Sequence, residues 1–163
     1  MAPCPYAFRA MSAADLPKIR QWLANPHVAT WWGNPDEQFA LVSADLLHQS
    51  MQQFIVALDD RPFAYLQCYD PNAWPNNGFG AFPSGTRGID QFIGDADMTE
   101  RGHGSALVRA FVDDLLAAGT PRVLTDPNEA NARAIRAYEK AGFHKERPIG
   151  TPDGPALLMV CDT

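Results

Sequence analysis

The stretch Met98–Gly119 limits what this chain can fold into more than any other. A strand-like run, Gly88-Ile89-Asp90-Gln91-Phe92-Ile93, lies just before it, and an amphipathic helix opens inside it. Two glycines, Gly102 and Gly104, stand at this strand-to-helix turn. Backbone N–H groups there point at one spot, and so does the positive end of the helix dipole, a combination suited to phosphate. The dinucleotide pattern Gly-x-Gly-x-x-Gly is incomplete, because Leu107 stands at its last position, and the Gly-x-x-x-x-Gly-Lys pattern is absent.

After Gly119 the order repeats. Pro121-Arg122-Val123-Leu124-Thr125-Asp126 reads as a strand, and Asn128 to Ala141 as a helix that Gly142 stops. Upstream, Phe8 to Met11 starts a strand. Ser12 precedes Asp15 by three in a capping-box pattern, with Met11 and Leu16 as a hydrophobic staple. Ile19, Trp22 and Leu23 continue an apolar stripe that Asn25-Pro26 closes. Residues His27 to Asp36, with Trp31-Trp32-Gly33-Asn34-Pro35, read as a loop, and a second helix is expected from Ser43 to about Gln52. Phe54–Leu58 and Phe63–Tyr69 make a hairpin around Asp59-Asp60-Arg61-Pro62. Asp70 to Thr86, rich in Pro, Gly and Asn, is a long loop. Strands at Phe143–Arg147 and Ala156–Cys161 close the chain through Thr151-Pro152-Asp153-Gly154. This order predicts a mixed α/β domain around a central sheet, partly parallel and partly antiparallel.

The 163 residues suit one domain, and 46% hydrophobic with 20% charged residues suit a soluble globular chain. A net charge of −6 argues against nucleic acid as partner and favours a small cationic substrate. No apolar run reaches membrane-spanning length and no leader pattern opens the chain, so a cytoplasmic location is expected, with no membrane partner. Cys4, Cys68 and Cys161 have neither paired nor metal-like spacing and read as free thiols. His27, His48 and His144 form no cluster, and no metal is assigned.

The string Asn131-Ala132-Arg133-Ala134-Ile135-Arg136-Ala137-Tyr138-Glu139-Lys140-Ala141-Gly142-Phe143, following the glycine turn, resembles the C-terminal signature of the GCN5-related N-acetyltransferase (GNAT) superfamily. Within it the chain most resembles the aminoglycoside 6′-N-acetyltransferases, through Trp31-Trp32-Gly33, Arg87-Gly88-Ile89-Asp90-Gln91, Thr125-Asp126-Pro127 and Thr151-Pro152-Asp153-Gly154-Pro155-Ala156. The resemblance spans roughly Phe8 to Val160 and takes residues 1–163 as a single N-acetyltransferase domain. It implies the GNAT fold, a central mixed sheet with two splayed parallel strands (here Gly88–Ile93 and Arg122–Thr125) and flanking helices. It also implies acetyl-coenzyme A as acetyl donor, a small-molecule amine as acceptor, and a monomer or homodimer.

Residue by residue, the resemblance makes Asp90 the general base and assigns Tyr138 to the coenzyme sulfur. Thr99, Glu100, Arg101, Gly102, His103, Gly104 and Ser105 would hold the pyrophosphate, and Asn131 the pantetheine arm or neighbouring backbone. Trp31, Trp32, Asp90, Asp126 and Asp153 would meet the substrate. Other readings stand beside these. Asp90 also reads as an edge-strand charge, Asp126 as a helix cap before Pro127, Asp153 as a turn residue and Tyr138 as a core residue. Of the adjacent tryptophans, one is expected in the core and one at the pocket, and His103 is expected to be a spacer. Two departures stand out: Thr99 replaces the usual Gln or Arg, and the loop before Arg87, acidic in well-known relatives, has no acid between Asp70 and Asp90. A siderophore-type lysine or hydroxylamine acyltransferase, and a coenzyme-binding module without catalysis, are the alternatives.

Overall fold

The computed structural model describes residues 3–163. Seven strands form one sheet in the order β1-β2-β3-β4-β5-β7-β6: β1 (Tyr6–Ala10), β2 (Met51–Leu58), β3 (Arg61–Tyr69), β4 (Arg87–Ile93), β5 (Arg122–Thr125), β6 (His144–Thr151) and β7 (Gly154–Asp162). Five α-helices accompany them: α1 (Leu16–Leu23), α2 (Pro26–Trp32), α3 (Pro35–Asp45), α4 (His103–Ala117) and α5 (Ala132–Lys140). β4 and β5 pair in parallel, whereas β1 with β2, β5 with β7 and β6 with β7 are antiparallel. The mixed α/β architecture is therefore the expected one. Residues up to Cys68 with Gln91–Arg101 form one compact unit, and Tyr69–Asp90 with Gly102–Thr163 form the other.

In the first unit, the capping box at Ser12 and Asp15 is present, and Met11 and Leu16 share one apolar cluster. The helices bury Ile19, Trp22, Leu23, Val28 and Val42 against Ile55, Tyr65 and Phe92. Asp59 and Asp60 both take positive φ (50° and 64°), as a two-residue hairpin turn between right-twisted strands requires. Trp22 lies so close over Gly94 that a Cβ there would sit 2.2 Å from its ring. Its Nε1 donates to Asp95, which also accepts from Arg61.

Two expectations fail in this unit. Residues His27 to Asp36 are not a loop but most of α2 and the start of α3, and the helix expected over Ser43–Gln52 is α3, ending at Asp45 before β2 begins at Met51. The physical reason is proline at the first helical position, where a missing N–H costs nothing and the fixed φ suits the helix. α1 does end at Leu23, just before Asn25-Pro26, but Asn25-Pro26 and Asn34-Pro35 each also open a helix, and Asn34 Oδ1 accepts from Glu37 N at 3.0 Å. Gly33, at φ 97°, separates the two.

The second unit places α4 against α5, burying Leu107, Val108, Phe111, Val112, Ile135 and Tyr138. Side chains alternate along β7. Cys161 faces Gly142 after α5, while Leu158 and Val160 face the opposite way, toward Phe79 and Phe82 of the segment between β3 and β4. That segment holds only a single helical turn, Pro71–Ala73, as its composition suggests. α5 starts at Ala132, four residues later than the pattern indicates, because Asn131 is its N-cap, with Oδ1 accepting from Ala134 N at 3.2 Å. All three cysteines are free thiols. No helix among the described residues is long and apolar enough to cross a membrane.

Candidate active site

The parallel ladder between β4 and β5 runs only through Arg87↔Val123 and Gly88↔Leu124. At the next step a side chain replaces the backbone partner: buried Thr125 Oγ1 donates to Ile89 O at 3.0 Å. Asp90 follows Ile89 and Asp126 follows Thr125, so the two acids leave the paired region at equivalent places. Alternation puts them on the sheet face of Gly88 and Leu124.

Asp126 is half-buried and its carboxyl is pushed up to about 8, first by burial and then by the negative charges of Asp90 and Asp153. The three acids named by the sequence therefore lie close enough to interact. The capping alternative for Asp126 is removed, since α5 begins six residues later with Asn131 as its cap. The turn at Thr151–Gly154 is held by Thr151, whose hydroxyl donates to Gly154 O and accepts from Asp153 N, leaving the exposed Asp153 carboxylate outside those bonds.

Gly102 caps α4 at φ 83°, a left-handed conformation that glycine tolerates, and a Cβ there would meet nothing within 4 Å. First-turn N–H groups of any α-helix have no carbonyl of their own helix to bind. Here Ala106 N donates to Gly102 O at 3.2 Å, and Ser105 Oγ donates back to the same carbonyl. A fifteen-residue helix behind this open turn offers the dipole and donors that a diphosphate needs. His103 and Gly104 belong to its first turn. Thr99, Glu100 (φ 60°) and Arg101 belong to the chain leading in, where Thr99 Oγ1 donates to Ala96 O.

Tyr138 is buried on α5, its ring edge-on to Phe143 at 5.5 Å. In the first unit Trp32 packs edge-on against Phe92 (5.0 Å) and Tyr65 (6.1 Å), while Trp31 remains 42% exposed. The sequence reading missed one aromatic pair. Tyr69 lies across Gly88, where a Cβ would come 2.4 Å from the ring, and Trp74 stands edge-on to Tyr69 at 5.5 Å. Tyr69 thus covers the strand face two residues from Asp90. The signal for it was a glycine inside a strand, which marks close approach by a neighbour.

An open glycine turn at α4, a parallel pair that stops pairing after two residues, and carboxylates beyond the break are the arrangement expected of an acyl-coenzyme A transferase of the GNAT type. The acetyltransferase (GNAT) domain family matches residues 12–151, and the chain belongs to that family. It is an N-acetyltransferase, with acetyl-coenzyme A as the acetyl donor. Among characterised relatives, an aminoglycoside N(6′)-acetyltransferase type 1 of Klebsiella pneumoniae is 35% identical over 93% of this chain and 80% of its own length. A kanamycin resistance protein of Rhizobium radiobacter is 48% identical over 47% of this chain and 71% of its own. The structure of aminoglycoside acetyltransferase AAC(6′)-Ib with coenzyme A and kanamycin superposes with a TM-score of 0.86 at 33% identity, covering 96% of this chain and 94% of that one. Its complex with paromomycin and acetyl-coenzyme A gives 0.87 at 34%, covering 96% and 93%.

Proposed function

We propose that this acetyltransferase moves the acetyl group of acetyl-coenzyme A onto a primary amine of an aminoglycoside, the 6′-amine, and that residues 1–163 act as one catalytic domain. The observation that carries this reading is the interacting cluster of Asp90, Asp126 and Asp153, a negative patch suited to a molecule bearing several ammonium groups. Relatives at 33–35% identity over most of the chain are named as aminoglycoside acetyltransferases, which supports it.

The coenzyme supplies an activated acetyl thioester. The protein's work is then to bind and deprotonate the amine. An alkyl ammonium with a pKa of about 10.4 must lose a proton before attack, at a cost of roughly 4.6 kcal/mol at pH 7. Asp90 is the proposed base, accepting that proton while its charge holds the ammonium. Asp126 and Asp153 receive other ammonium groups of the same substrate. Tyr138 is the proposed group at the coenzyme sulfur, which gains a proton as the thiol leaves. Residues Thr99 to Ser105 hold the diphosphate through backbone N–H groups, and Asn131 shapes the neighbouring backbone by capping α5. Trp31, the more exposed of the adjacent tryptophans, is the proposed aromatic contact for the aminosugar. All three acids come from one chain, which is compatible with a monomer or a homodimer, and the cytoplasm is the proposed place of action.

Free-thiol release in a panel of aminoglycosides tests this. Acceptors with a 6′-amine should release coenzyme A and those lacking it should be inert. Asp90→Asn should lower kcat about 10²-fold or more with acetyl-coenzyme A binding intact. Near-normal turnover in that variant removes Asp90 as base.

A further inference from the structure

The 70–86 segment is the longest connection between strands or α-helices in this chain, and its middle is fastened to β6. Gly78 and Gly80 flank Phe79, with φ 79° and 73°. A Cβ on Gly78 would sit 2.8 Å from Gly150 O, and one on Gly80 would sit 2.8 Å from Arg147 Nη2. Between them, Arg147 Nη2 donates to Phe79 O at 2.8 Å, with Gly78 O at 3.5 Å. Phe79 is buried, and it lines with Phe82, Leu124, Leu158 and Arg147 a cavity of about 180 Å³.

A β-bulge aims this arginine. Lys145 pairs with Met159 but Arg147 pairs with Leu158, so Glu146 is the extra residue. In an unbroken ladder Arg147 would oppose Leu157, on the face of Lys145 and Met159 and away from the segment; because Glu146 and Arg147 together stand against Leu158, Arg147 takes the face of Leu158.

We infer that Arg147 is a positioning residue for the acceptor, resting on the reading of the acid cluster as the acceptor site. It ties the 70–86 segment to the β6–β7 hairpin, whose tip carries Asp153. The same segment starts just after Tyr69, which lies over Gly88 beside Asp90. One guanidinium thereby holds the aromatic wall and two carboxylates in a common frame. Because the segment has no acid between Asp70 and Asp90, its contribution is shape and ring contact, and these depend on where it is held.

Full-length wild type, Arg147→Ala, Arg147→Lys and, as a control, Glu146→Gln test this with kanamycin as acceptor. In Arg147→Ala the acceptor KM should rise about tenfold, with kcat and the acetyl-coenzyme A KM within about twofold. Proteolytic nicking within 70–86 should quicken, Arg147→Lys should recover part of both effects, and Glu146→Gln should match wild type. An acceptor KM that stays constant or falls, as removal of a repelling cation would give, overturns the inference. So does an equal rise in the acetyl-coenzyme A KM, or unchanged nicking. If Arg147→Ala does not fold, Arg147→Lys must show the same pattern at smaller size. If wild type acetylates no aminoglycoside, the functional reading fails, while the nicking comparison still decides whether Arg147 holds the segment.

Discussion

Asp126 combines partial burial with two neighbouring negative charges, and both favour its neutral form. Its pKa moves from an ordinary 3.8 to about 8, so between those values the folded protein holds a proton that the unfolded chain has lost. Stability must fall as pH rises through this window and level off above it. Asp126→Asn should therefore gain up to a few kcal/mol over wild type at pH 9 and nothing near pH 4, read as thermal midpoints across pH. A bound polycation reverses the electrostatics, so acceptor binding at pH 7 should release a proton that Asp126→Asn does not; calorimetry in buffers of different ionisation enthalpy reads this. Gly88 is a second single-residue constraint. A methyl group there meets the Tyr69 ring at 2.4 Å, so Gly88→Ala should cost about 1–3 kcal/mol in chemical denaturation and raise the acceptor KM.

At the level of elements, α4 and its opening turn are the proposed seat of the coenzyme's diphosphate. Gly102 needs its left-handed backbone but has open space around it, so Gly102→Ala tests conformation alone. It should cost about 1–2 kcal/mol of stability and raise the acetyl-coenzyme A KM several-fold, with the acceptor KM nearly constant. Steady-state kinetics varying each substrate in turn separates the two. This turn was legible because glycine spacing, a preceding strand and an amphipathic helix all point to one local geometry. The helices around Trp31 and Trp32 were not, because Asn-Pro opens a helix as readily as it ends one, and the apolar stripe that decides between them faces Tyr65 and Phe92, far away in sequence. Asp126 shows the same limit. Its neighbour Pro127 suggested a cap, and only the placement of Asn131 at the start of α5 settled that role.

Across the whole molecule, a net charge of −6 surrounds a site proposed to take a cation and an anionic coenzyme. Long-range attraction should speed encounter with the polycation alone. Raising ionic strength from about 0.01 to 0.15 M should lower kcat/KM for an aminoglycoside several-fold and leave that for acetyl-coenzyme A unchanged or slightly higher. A salt-independent acceptor term would show that the acids act only at contact.

What the sequence determined by itself is whatever short-range rules can encode: strand and helix periods, the capping box and the glycine turn; the three acids were singled out by the family resemblance. Tertiary structure alone decided that those acids share one neighbourhood and that one of them keeps its proton. It also decided that Tyr69 covers Gly88 and that a bulged strand turns Arg147 onto a loop 68 residues away. Such features depend on register and burial between distant segments, where a single inserted residue reverses the face a side chain presents.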